Sequence, residues 1–172
     1  IVITSSVPDE GKSTTSIELA KAIATSGKKT LLVEADMRRR SLANALGVRA
    51  QAGVYSVLTD AATIEQAVVP TKVHDLYLLD SEPNIPNPAD IISSKSYAYL
   101  TRELEDRFDY VIYDTPPVGT FVDAAILSTL VDGTVLIVKP GFTKRAELQD
   151  AYEQLKKADA NVIGTCATFC EG

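Results

Sequence analysis

Ile1-Val2-Ile3-Thr4-Ser5-Ser6-Val7-Pro8-Asp9-Glu10-Gly11-Lys12-Ser13-Thr14 opens the chain, and this stretch decides the fold. Four apolar or β-branched residues run straight into a loop that ends in Gly-Lys-Ser. A strand followed by such a loop and then a helix is the setting in which a phosphate loop works. Backbone N–H groups at the helix start, aided by the helix dipole, hold an anion there, and the lysine adds a point charge. Ser6 occupies the position of the first glycine in the general Gly-x-x-x-x-Gly-Lys-Ser/Thr pattern, while Gly11-Lys12-Ser13 is intact. The loop residues Asp9, Glu10, Gly11, Lys12, Ser13 and Thr14 are therefore the expected nucleotide-binding set, with the Ser13 hydroxyl as a magnesium ligand.

Two later strands also end in carboxylates. Leu31-Leu32-Val33-Glu34-Ala35-Asp36 places two acids two residues apart, so both are expected to face the same side. Beside magnesium–ATP such acids serve as metal ligands, or as the base for an attacking hydroxyl. Arg38, with Arg39 and Arg40, brings positive charge to the same mouth. A run of arginines is more often a solvated face. Tyr110-Val111-Ile112-Tyr113-Asp114-Thr115-Pro116-Pro117 ends in an aspartate suited to holding the metal through water. The competing role for Asp114, capping a helix, is disfavoured by Pro116-Pro117, which impose an extended turn.

Working outward, apolar runs alternate with amphipathic stretches, which predicts an α/β fold with a mostly parallel sheet covered by helices on both faces. Strands are expected at Ile1–Thr4, Thr30–Glu34, Leu76–Asp80, Tyr110–Tyr113, Thr134–Val138 and Val162–Thr165. The first helix should run from near Lys12 to Gly27, burying Ile17, Ala20, Ile23 and Ala24. Further helices are expected at Ser41–Leu46, Gly53–Thr59, Pro88–Ser94, Tyr97–Asp106, Asp123–Leu130 and Thr143–Ala158. Pro83, Pro86 and Pro88 mark an extended connector.

The 172 residues suit one domain, and such a chain buries roughly 70% of its unfolded surface, so no disulfide is needed. Cys166 and Cys170 are expected to be free thiols, because zinc wants four ligands in closer pairs. His74 is expected at the surface. A net charge of −6 argues against nucleic acid as a partner. No apolar run approaches the roughly 18 residues of a membrane span. The chain starts within a core strand and without methionine, which is expected of a fragment.

These segments resemble the bacterial tyrosine kinases of capsule and exopolysaccharide synthesis, the BY-kinases. Their signature joins a Walker A loop of the Pro-x-Glu-Gly-Lys-Ser type, a Walker A′ strand ending Asp/Glu-x-Asp-x-Arg and a Walker B strand ending Asp-x-Pro-Pro. Pro8-Asp9-Glu10-Gly11-Lys12-Ser13, Glu34-Ala35-Asp36-Met37-Arg38 and Asp114-Thr115-Pro116-Pro117 match in that order. Pro86–Ser94 and Val122-Asp123-Ala124 are similar to further family segments, so the likeness covers nearly the whole chain. Asp9 stands where the family has glycine, Arg40 where proline is common, and Thr168 where a segment tied to the adenine pocket ends in asparagine.

The resemblance implies a single kinase domain over residues 1–172, of the deviant-Walker P-loop type, using ATP and Mg2+. Lys12, Glu34, Asp36, Arg38 and Asp114 would be catalytic, with Ser13, Asp36 and Asp114 on the metal. It implies tyrosine phosphorylation in trans within a homo-oligomer, and activation by the cytoplasmic tail of a membrane polysaccharide co-polymerase. The domain would thus lie in the cytoplasm against the plasma membrane. An upstream assembly helix and a C-terminal tyrosine cluster would lie outside the chain. Two alternatives are a nucleotide-binding scaffold without kinase activity and a Min- or Par-type partition ATPase. The latter carries a signature lysine where this chain has Val7.

Overall fold

The structure, a computed structural model, describes residues 1–169. Its elements follow one another as β1 (Val2–Ser5), α1 (Lys12–Thr25), β2 (Thr30–Glu34), α2 (Leu42–Leu46), α3 (Val54–Leu58), α4 (Ile64–Ala67), β3 (Val69–Pro70) and β4 (Leu76–Leu79). Then come α5 (Pro88–Ile92), α6 (Lys95–Arg107), β5 (Tyr110–Asp114), α7 (Asp123–Ser128), β6 (Thr134–Val138), α8 (Arg145–Lys157) and β7 (Val162–Ala167). The strands form a seven-stranded sheet in the order β3-β4-β2-β5-β1-β6-β7. Every pairing is parallel except that of β3 with β4. The expected mostly parallel α/β sheet is therefore present.

Period-two alternation splits the apolar residues of each strand between two layers. Val2, Leu31, Val33, Val111 and Tyr113 face one way, onto Tyr97, Leu100 and Leu104 of α6, Leu127 of α7 and Leu155 of α8. Ile3, Leu32 and Ile112 face the other way, onto Ile17, Ala20 and Ala24 of α1 and Leu42 of α2. Each fully buried aliphatic side chain contributes about 1.5–3 kcal/mol. The first helix ends at Thr25, and Gly27 follows with φ +91°, the left-handed geometry expected of a terminating glycine.

Two elements went unforeseen. Helix α4 has a complete capping box: the Thr63 hydroxyl accepts from the Gln66 N–H, and the Gln66 side chain accepts from the Thr63 N–H. That Thr-x-x-Gln pattern is legible in sequence. Strand β3 is two residues long and ends in a proline at the sheet edge, so it has no pattern of its own. Helix α6 also starts two residues earlier than expected, at Lys95, because Ser94 caps it by accepting from the Tyr97 N–H. His74 is exposed beside Asp75. Cys166 is a free thiol, and Cys170 lies outside the described residues. Among the described residues, no helix is long and apolar enough to cross a membrane.

Parallel strands bring their C-terminal ends to one edge of the sheet. Strand β1 lies between β5 and β6 there, and its chain leaves directly into α1. Crevices at this edge are where open α/β sheets place ligands.

Candidate functional site

The loop between β1 and α1 owes its shape to backbone geometry and one buried acid. Asp9 and Gly11 both have positive φ, at +64° and +80°. Aspartate tolerates that region better than most residues, so Asp9 can stand where glycine is more usual. The Glu10 side chain turns inward, fully buried, and accepts from the Val7 N–H at 3.2 Å. Gly11 caps α1 without offering a side-chain acceptor, so the first N–H groups of the helix keep their free donors. At the far side of the loop, the Thr168 hydroxyl after β7 donates to the Glu10 carbonyl at 2.6 Å. The Phe169 ring lies against Gly11.

Asp114, at the end of β5, collects the first turn of α1. The Lys12 ammonium donates to its Oδ1 at 2.7 Å, Ser13 Oγ to Oδ2 at 2.8 Å, and Ser16 Oγ to Oδ1 at 3.1 Å. Ser41 Oγ in turn lies 3.1 Å from Ser13 Oγ. Asp114 is fully buried and caps no helix. The proline segment beyond it instead runs extended along β1, where Thr4 Oγ1 donates to the Pro116 carbonyl and Val118 N–H to the Ser5 carbonyl. Gly119 passes so close that a Cβ there would sit 2.2 Å from the Ser6 carbonyl oxygen. Ser16 escaped the sequence reading, although its i+4 spacing from Lys12 places it on the same helix face.

The two acids at the end of β2 separate. Glu34 is the last strand residue, fully buried, and its Oε2 accepts from the Ser41 and Leu42 N–H groups, each at 2.9 Å. It holds down the start of α2. Burial above all, and then the charge of Asp114, push its carboxyl up to about 8, against the pull of those two N–H donors. Asp36 lies beyond the strand, where Oδ1 accepts from the Arg39 N–H at 3.1 Å. Burial weakens its acidity, and Lys12 opposes that.

Arg38 and Arg40 are not simply solvated. Arg38 Nη1 donates to Asp123 Oδ2, and its guanidinium carbon sits 4.0 Å from the centroid of the Phe121 ring. Arg40 Nη1 donates to the Ser81 carbonyl at 2.8 Å and lies 3.7 Å from Asp80.

A cavity of about 510 Å3 opens between these segments. Asp9, Gly11, Lys12, Ser13, Thr14, Asp36, Arg38 and Arg39 line it, together with Pro116, Pro117, Phe121 and Phe169. Of the residues singled out from the sequence, Glu10, Glu34 and Asp114 are not on its wall. Glu10 and Glu34 brace the loops around it, and Asp114 is covered by its three donors.

A pH dependence follows from Glu34. Its folded carboxyl titrates above the unfolded value of 4.5, so the fold favours the protonated form. That contribution is complete below pH 4.5 and is lost as pH rises through about 8. Wild-type protein should therefore lose melting temperature relative to Glu34→Gln across that window. A constant difference between the two melting curves would show that Glu34 does not titrate there.

The AAA domain family model matches residues 2–161. Tyrosine-protein kinase YwqD of Bacillus subtilis is 39% identical over 164 residues, covering 95% of this chain and 69% of its own length. The chain belongs to the tyrosine-protein kinases. Its backbone superposes on the crystal structure of the chimerical protein CapA2B2 with a TM-score of 0.92, at 34% identity over 96% of this chain and 74% of the other. The septum site-determining protein MinD of Pyrococcus horikoshii, complexed with Mg-ADP, shares the fold at a TM-score of 0.81 and 22% identity, covering 95% of this chain and 67% of its own. The fold of this kinase domain is accordingly the one it shares with MinD.

Proposed function

We propose that this domain transfers the γ-phosphoryl group of ATP to a tyrosyl hydroxyl. The observation that carries the reading is the cavity wall, which brings the uncapped start of α1 and Lys12 together with Asp36 and Arg38. The phosphates would lie along the N–H groups of Gly11 to Thr14, with Lys12 leaving Asp114 for the β- and γ-phosphates. Ser13, Asp36 and Asp114 offer an all-oxygen donor set of the kind Mg2+ prefers. Bound there with ATP, Mg2+ would neutralise charge on the β- and γ-phosphate oxygens.

In the transfer, the tyrosyl oxygen bonds to the γ-phosphorus as the bond from that phosphorus to the β–γ bridging oxygen breaks. The bridging electron pair leaves with ADP. The phenolic proton goes to a carboxylate, for which Asp36 is the better placed, since it faces the cavity while Glu34 is engaged with α2. Arg38 balances the negative charge that builds on the transferred group. The acceptor would be a tyrosine-bearing tail of a neighbouring subunit. Activation by a transmembrane polysaccharide co-polymerase would hold the domain at the inner face of the plasma membrane, in capsule or exopolysaccharide synthesis.

Incubating full-length protein with ATP, Mg2+ and its activator should give phosphotyrosine, read by phosphoamino-acid analysis. Phosphate on serine and threonine alone would reject the tyrosine assignment. Hydrolysis of ATP with no phosphoprotein would favour a partition-type ATPase, whose fold the MinD likeness shares.

A further inference from the structure

Asp123 is an acid that none of the chemistry above uses. It is the first residue of α7, fully buried and absent from the cavity wall. One oxygen takes the Arg38 guanidinium, and the other has no partner among the described residues. Asp123 also crowds a buried phenol: burial first, and then the Asp123 charge, keep the Tyr97 hydroxyl protonated well beyond the usual range. That hydroxyl therefore stays neutral, and the cation that meets Asp123 is Arg38. Phe121 lays its ring 4.0 Å from the guanidinium carbon. Arg38 is thus held by both an anion and a ring face, two partners that suit a planar, delocalised cation.

The clamp spans two connections that sequence distance keeps apart. Arg38 follows β2, whereas Phe121 lies between β5 and α7 and Asp123 opens α7. A free arginine on a loop samples many rotamers, and each would have to be given up at the moment of transfer. A clamped one has lost that freedom beforehand, so its charge is available with little reorganisation.

We propose that Asp123 is a positioning residue for phosphoryl transfer: with Phe121 it fixes the Arg38 guanidinium in the cavity wall that Lys12 also lines. The proposal rests on the kinase reading for its catalytic part, but the clamp itself can be tested without catalysis. It assigns Asp123 an effect on turnover instead of on nucleotide affinity, exerted wholly through Arg38.

The test uses full-length protein with two readouts. In the first, side-chain NMR of arginine should show slow rotation of the Arg38 guanidinium in wild type and fast rotation in Asp123→Asn. In the second, phosphotransfer is compared among wild type, Arg38→Ala, Asp123→Asn and the double variant. Asp123→Asn should lower kcat about tenfold while KM for ATP and ADP affinity stay within about twofold, as expected when an interaction acts only in the transition state. In the Arg38→Ala background, Asp123→Asn should have no further effect on kcat. Asp123→Glu should recover part of the loss. Losses that multiply in the double variant would overturn the proposal, and so would an Arg38 signal that Asp123→Asn leaves unchanged. If Asp123→Asn fails to fold, Phe121→Leu takes its place, with the same non-additivity against Arg38→Ala expected. A wild type that transfers no phosphate would reject the kinase reading, while the NMR comparison would still decide whether Asp123 holds Arg38.

Discussion

Lys12→Met should lose at least about 100-fold in ADP affinity by calorimetry, the equivalent of about 2.7 kcal/mol of charge-assisted contact to phosphate. The same substitution should also destabilise the unliganded fold, which the sequence alone would not predict. Lys12 Nζ sits 2.7 Å from a fully buried Asp114, and removing it leaves that carboxylate with two serine hydroxyls as donors. Breaking one side of a buried pair costs about 3–5 kcal/mol, which lowers the melting temperature of a chain this size by on the order of 10 °C. Adding Asp114→Asn to Lys12→Met should return much of that stability and none of the affinity. Unchanged ADP affinity in a folded Lys12→Met protein would displace the nucleotide from the start of α1.

Asp36→Asn is expected to cut phosphotransfer by roughly 10²–10⁴-fold, the range for loss of a general base. Its effect on folding should stay within about 1 kcal/mol, since the amide oxygen can still accept from the Arg39 N–H. Glu34→Gln is the internal control. It removes the neighbouring carboxylate, yet it should lower turnover far less, because Glu34 lies outside the cavity and is bound to the start of α2. Rates measured with full-length protein decide between them. If Glu34→Gln abolishes transfer and Asp36→Asn retains it, the proton acceptor is Glu34. Asp114→Ala cannot serve as such a clean probe. Three α1 side chains converge on that carboxylate, so its loss should unsettle the fold as well as the transfer.

How much of this was legible in the chain varies with the range of the interaction. The strands could be read because their residues are apolar on both faces, and the helix at Lys12 because a Gly-Lys-Ser turn follows an apolar run. The parting of Glu34 from Asp36 could not be read. It depends on β2 ending at Glu34 and on the chain folding back so that Ser41 and Leu42 reach the Glu34 carboxylate. The arginine run was harder still. Arg38 and Arg40 meet Asp123 and Asp80, acids far away in sequence that periodicity does not connect to them. Ser16 lay within reach of a helical-face argument, and Thr63-x-x-Gln66 within reach of a capping one. What escaped was mainly long-range pairing of polar groups, which composition and period do not encode.

The close passage of Gly119 over Ser6 bears on how the domain can move. With less than a methyl group's clearance between the two backbones, the loop after β1 and the loop after β5 cannot slide past one another. They travel as one rigid jaw, pinned further by the hydrogen bonds from Thr4 and Val118. Arg38, bound to Asp123 and stacked on Phe121, couples the Met37–Ser41 segment to this jaw, so a hinged closure over a ligand has either to carry both together or to break that clamp.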